Sequence, residues 1–197
     1  DDRRRLLSEI FKQHNGEYAA ENDILELSSA ITYIKNMMLT DEQISEIESE
    51  YPHLSAMYQS YQNALKEKYQ MDFDDQMVFA LWILQKDEEI TSALRMRYKY
   101  ICVDEAQDTS KIQHEIIKII AQGNNLFMVG DEDQSIYGFR AAYPKALLNF
   151  RYDYMNSYIM RMERNYRSTT QIVDKAQSFI SQNKGRYEKN MTAERGD

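Results

Sequence analysis

Two groups of carboxylates in this 197-residue chain stand where they could do metal or phosphate chemistry. Asp104-Glu105-Ala106-Gln107-Asp108 follows the apolar run Tyr100-Ile101-Cys102-Val103, and Asp131-Glu132-Asp133-Gln134 follows Leu126-Phe127-Met128-Val129-Gly130. An aspartate at the end of such a run can hold Mg²⁺ through its water shell, because that ion keeps several waters and takes few carboxylates. The adjacent glutamate can polarise a water for attack on phosphorus. One acidic pair at a strand end is as readily a cap or a solvated pair. The second group shifts the balance, since Gln134 brings a neutral amide to the same cleft, able to sense a terminal phosphate without repelling it.

Both groups need elements to place them. Short, unbroken apolar runs rich in β-branched and aromatic residues predict strands buried on both faces, as in a parallel sheet. Between them Ile112, Ile116, Ile117, Ile119 and Ile120 predict a helix with one apolar face, closed by Gly123. The resulting βαβ unit sets both acidic groups at the C-terminal ends of neighbouring parallel strands, where open α/β sheets bind ligands. Beyond it, Ser135 to Arg140 reads as a loop with two aromatics about a glycine, Tyr143 to Phe150 as a short helix and Ser157 to Met162 as a third strand. Ser168-Thr169-Thr170 caps a last helix carrying Ile172, Val173, Ala176, Phe179 and Ile180, and the polar tail from Lys184 is expected to be mobile.

Residues 1–70 read as helices. Ile24, Leu27, Ile31, Ile34 and Met38 recur at helical spacing, Thr40 with Gln43 forms a capping box, and Pro52 interrupts before Leu54, Met57, Tyr58, Tyr61, Leu65 and Tyr69. The Met and Tyr stripe reads as core. Asp72-Phe73-Asp74-Asp75 reads as an acidic N-cap for a helix carrying Met77, Val78, Leu81, Trp82 and Leu84. Arg3-Arg4-Arg5 reads as a solvated helix end rather than a phosphate site.

Bulk properties narrow the function. No apolar run approaches the roughly twenty residues that span a bilayer, and the lone Cys102 excludes a disulfide framework and suggests a reducing, cytoplasmic compartment. A net charge of −8 argues against a generic nucleic-acid coat. The charge is uneven: residues 1–50 carry five basic and twelve acidic side chains, whereas 161–197 carry eight and five. Contact with nucleic acid would therefore be local.

The ordered boxes resemble those of UvrD/Rep/PcrA-type superfamily 1 DNA helicases. Asp104-Glu105-Ala106-Gln107-Asp108-Thr109 is similar to their motif II, the Walker B box, and Gly130 through Ala142 to motif III. Glu163-Arg164-Asn165-Tyr166-Arg167-Ser168-Thr169 is similar to motif IV, and Asp72 to Asp75 to the short box before motif II. The resemblance implies an α/β fold: a partial RecA-like P-loop NTPase parallel sheet with an N-terminal all-helical subdomain. It divides the chain into a helical 1B-like part (1–85), the second half of a 1A motor domain (86–162) and the opening of a 2A-like domain (163–197). It implies an ATP-dependent 3′–5′ helicase using ATP and Mg²⁺ on single-stranded DNA and duplex junctions, with repair or recombination proteins as partners and no membrane. By the same resemblance Asp104 would ligate Mg²⁺, Glu105 activate water and Gln134 report the γ-phosphate. Tyr137 and Phe139 would stack on bases and Arg140 brace their loop or reach a phosphate, although the family usually has tryptophan where Phe139 stands. Tyr166 would stack on adenine and Arg167 act as an arginine finger, against plainer readings as a core tyrosine and a surface partner of Glu163.

A phosphate-cradling Gly-x-x-x-x-Gly-Lys-Ser/Thr loop is missing, as none of the six glycines precedes a lysine. The expectation is thus a middle piece of a larger motor, lacking the Walker A strand, that binds ATP feebly and does not turn it over. Three alternatives stand beside it: a metal nuclease using Asp104, Glu105, Asp131 and Asp133, the motor subunit of a helicase–nuclease complex, and a non-catalytic DNA-binding or interaction module.

Overall fold

The computed structural model describes residues 2–135 and 142–196. Helices α1 (Asp2–Asn15), α2 (Glu21–Met37), α3 (Asp41–Ile47) and α4 (Leu54–Glu67) enclose one apolar core. Leu7, Ile10, Leu27, Ile31, Ile34, Ile44, Leu54, Met57, Tyr61 and Leu65 fill it, so the Met and Tyr stripe is core along most of its length. Tyr69, at its end, is exposed. Each boundary has a local cause. Thr40 and Gln43 form the expected reciprocal cap, Met38 closes α2 in the left-handed conformation, and Pro52 lies in the break before α4.

Helix α5 (Phe73–Lys86) packs on both α2 and α7 (Lys111–Ile120), and α6 (Glu88–Arg97) leads into β1 (Tyr100–Val103). Strand β1 pairs in parallel with β2 (Asn125–Met128), with Tyr100 opposite Asn125 and Val103 opposite Met128. The strand–helix–strand unit is therefore present, and Gly123 takes the left-handed conformation after α7. Burial on both strand faces is not. Exposure alternates along β1 and β2, leaving Tyr100 78% and Phe127 57% exposed. Parallel strands are shielded from water on both faces only where helices cover both; here one face lies open among the described residues.

Three further expectations are corrected. Tyr143 to Phe150 is not one helix but two short ones, α8 (Lys145–Leu148) and α9 (Phe150–Asp153). No strand forms over Ser157 to Met162. Tyr158, Met160 and Met162 keep a two-residue alternation on an exposed side, yet this backbone pairs with no strand among the described residues. Strand β3 begins only at Arg164 and runs to Thr169. The tail is not free either. After α10 (Thr170–Ile180), β4 (Thr192–Arg195) pairs in parallel with β3, and the segment between is pinned by side chains. The result, among the described residues, is an α/β chain with a helical N-terminal region and two small parallel sheets.

Candidate functional site

The apolar register of β1 and β2 brings both acidic groups to one end of the sheet. Among the described residues, exposed Asp104 accepts just the Glu105 N–H, at 2.9 Å, and they leave most of its lone pairs to the waters of a hydrated cation. Glu105 follows at φ 48°, a left-handed backbone that costs a non-glycine residue about 1–2 kcal/mol. Such strain persists where the surroundings impose it, and here Gln107 does. Its side chain is buried; Nε2 donates to Glu105 Oε2 at 2.6 Å and Oε1 accepts from the Asp131 N–H at 3.0 Å. One amide thus spans from the Glu105 turn to the loop after β2. Ser135 Oγ donates to the Gln107 carbonyl, and the Ala106 N–H donates to Val129 O.

Gly130 makes this approach possible. A Cβ there would lie 2.8 Å from Gln107 Oε1, 2.9 Å from Leu147 Cδ1 and 3.2 Å from the Ala106 nitrogen. Exposed Gln134 donates from Nε2 to Asp131 Oδ2 at 2.8 Å. Asp131, Glu132 and Asp133 form the one carboxylate cluster of metal-binding geometry among the described residues, but protein cations already fill it. Lys189 Nζ lies 2.5, 3.0 and 3.2 Å from Asp131, Glu132 and Asp133. Arg186 holds Asp133 through two bonds of 2.7 and 2.6 Å. Burial opposes ionisation of Asp131 and Asp133, yet hydrogen bonds and charge from Lys189, joined by Gln134 at Asp131 and Arg186 at Asp133, hold both carboxyls below their ordinary range.

Behind α5 lies a second charged group. Asp72 and Asp75 form the reciprocal cap expected of an acidic N-terminus, but both also bond Lys35, whose side chain is wholly buried, at 2.9 and 2.7 Å. Asp74 accepts from Asn36 Nδ2 and Thr32 Oγ1. Arg3 reaches Thr32 and lies 3.8 Å from Asp74, so it is part of this network and not a solvated end. Arg4 and Arg5 do make exposed pairs, with Glu21 and Glu9.

The family model of the UvrD/REP helicase N-terminal domain matches residues 1–155. The chain belongs to the UvrD/REP helicase family. It is 38% identical over 144 residues to the ATP-dependent DNA helicase PcrA of Leuconostoc citreum, covering 73% of this chain and 19% of that protein. It is 36% identical over 196 residues to a probable DNA helicase II homolog of Mycoplasma capricolum (96% and 27%). Against the Bacillus subtilis PcrA it is 32% identical over 196 residues (98% and 26%). The chain thus spans about a quarter of the length of these helicases.

Within this helicase-family chain, Asp104, Glu105 and Gln134 gather at one sheet end through Gln107 and Asp131. Tyr166 and Arg167 stand apart, on β3, where Tyr166 is 71% exposed. Asn165 Oδ1 accepts the Arg167 and Ser168 N–H groups, where the pairing of β3 with β4 shifts register. Glu163, the plainer partner for Arg167, instead accepts the Asn190 N–H at 2.7 Å. Tyr137, Phe139 and Arg140 lie outside the described residues. Sequence reasoning left Gln107 without a role and missed Lys35, Arg186 and Lys189. Three consecutive carboxylates do signal a need for cations, but nothing local says that residues more than fifty positions away supply them.

Proposed function

We propose that this chain is the central part of an ATP-driven 3′–5′ DNA translocase and helicase acting on single-stranded DNA and duplex junctions. Residues 1–85 form its 1B-like part, 86–162 the second half of 1A and 163–197 the start of 2A. The observation that carries this reading is the Gln107 bridge, which ties Glu105 to the loop bearing Gln134 at the C-terminal ends of adjacent parallel strands. That is where an α/β sheet presents a phosphate.

Asp104 suits Mg²⁺: it is a single exposed carboxylate with open lone pairs, as the ion requires. The ion, when bound, would neutralise charge on the terminal phosphate oxygens. Glu105 takes a proton from the attacking water, its carboxylate aimed by Gln107 Nε2. Gln134, neutral and held by Asp131, donates to the γ-phosphate; Tyr166 stacks on adenine; Arg167 stabilises developing charge across the cleft. Tyr137 and Phe139 stack on bases, worth about 1–3 kcal/mol each, and Arg140 braces their loop. A two-ion nuclease is disfavoured, because Asp131 and Asp133 already hold Lys189 and Arg186. Lacking a lysine-bearing glycine loop, the 197-residue chain alone binds ATP feebly and does not turn it over.

Glu105→Gln in the whole helicase tests the reading. It is isosteric, keeps Asp104, and is expected to abolish ATP turnover while nucleotide binding survives. Near-normal turnover would refute the assignment.

A further inference from the structure

The segment from Arg186 to Thr192 joins the acidic loop after β2 to the sheet that bears Arg167. Lys189 Nζ and Gln134 Nε2 donate to opposite oxygens of Asp131, at 2.5 and 2.8 Å. Arg186 grips Asp133, and the Tyr187 N–H donates to Glu132 Oε1 at 2.8 Å, so every carboxylate of the loop is held by this one segment. The segment is itself fixed. Tyr187 Oη donates to the carbonyls of Leu147 and Leu148. Gln177 of α10 clasps it from the other side, donating to Lys189 O and accepting the Met191 N–H. Three residues after Lys189, β4 begins, and it pairs with β3.

We propose that Lys189, supported by Arg186, is a positioning residue for Gln134: it sets the rotamer of Asp131 and thereby links the phosphate-sensing amide to the strand carrying Arg167. The inference rests on the reading of Gln134 given above. Without the ammonium, Arg186 neutralises Asp133 alone, and Asp131 Oδ1 keeps just the 3.2 Å bond from the Asp133 N–H, too little to hold its charge beside Glu132 and Asp133, so Asp131 turns toward water. Gln134 then loses its acceptor.

The test has two arms. In the 197-residue chain, the Gln134 side-chain amide is followed by ¹⁵N–¹H correlation NMR in wild type, Lys189→Gln and Lys189→Arg. Its hydrogen-bonded shift is expected to collapse toward the free-amide position in Lys189→Gln and to return in Lys189→Arg. An unmoved Gln134 signal in a folded Lys189→Gln overturns the proposal. Should that variant unfold, nuclear Overhauser contacts from the Lys189 Hε to the Asp131 Hβ protons in wild type decide, and their absence overturns it equally. In the whole helicase, Lys189→Gln is expected to lower kcat on the order of tenfold to a hundredfold, as a misplaced catalytic group does, with little change in KM for ATP and rescue by Lys189→Arg. Gln134→Ala separates the two ideas. If it leaves turnover intact, the phosphate-sensing reading fails; if it lowers kcat and Lys189→Gln does not, the positioning role fails.

Discussion

Replacing Lys35 with methionine removes the one cation from a buried charge triad. The Lys35 side chain has no solvent exposure, and those of Asp72 and Asp75 are each 9% exposed. Tyr61 Oη donates to the same Asp72 Oδ2 at 2.9 Å, but a hydroxyl does not neutralise a carboxylate. Removing one partner of such a group strands the other charges and costs about 3–5 kcal/mol. With m near 2 kcal/mol per molar, the urea midpoint falls by about 1.5–2.5 M. Acid response gives a sharper signature. In wild type, burial opposes ionisation of Asp72, but Lys35, the Asp75 N–H and Tyr61 together hold its carboxyl below the ordinary range. Its contribution is therefore present above the unfolded carboxylate range and lost as pH falls through the lower folded value. In Lys35→Met the Asp75 N–H and Tyr61 remain but the ammonium is gone, so the folded value moves up toward the unfolded one. The stability lost between about pH 5 and 2 is therefore smaller in Lys35→Met than in wild type. Urea titrations followed by far-ultraviolet circular dichroism across that range measure both effects. A loss under about 1 kcal/mol, the value of an exposed pair, or an acid-induced loss equal to that of wild type would refute the buried triad.

Gly130→Ala is expected to cost about 1–3 kcal/mol, because the new Cβ meets the Ala106 backbone as well as two side chains. Urea unfolding gives the cost, and the Gln107 side-chain amide should lose its bond to Glu105; an unshifted amide would contradict the packing described. His114 is buried, with Nε2 2.6 Å from Thr109 Oγ1, and burial pushes its imidazole below the ordinary histidine range against the Ala106 backbone and the charge of Asp153. Its neutral form thus contributes full stability above the unfolded value of about 6.5 and loses it as pH falls toward the folded one. Wild type should lose more stability than His114→Gln between about pH 7.5 and 5.5, and equal losses in urea titrations would count against it.

What the sequence by itself determined were features whose causes lie within a turn or two of the chain. The Thr40 and Asp72 caps, the α7 stripe ended by Gly123 and the two short apolar strands all arise from residues that touch their near neighbours. The family boxes were legible for the same reason, since Asp104, Glu105 and Gln134 sit in continuous motifs. Tertiary structure decided whatever needed a distant partner. Ser157 to Met162 has the alternation of a strand, but a strand needs a second backbone to bond, and none faces it among the described residues. The segment after Lys184 looked mobile because its composition is polar, yet Arg186 and Lys189 are ordered by carboxylates more than fifty residues earlier. Lys35 lies in an ordinary helical pattern, and only the packing of α2 on α5 buries it against Asp72 and Asp75. Helix caps and apolar periodicity act through contacts a few residues apart, so they can be read in line. A buried charge takes its partner from wherever the fold brings one, and one-dimensional spacing carries no record of that distance.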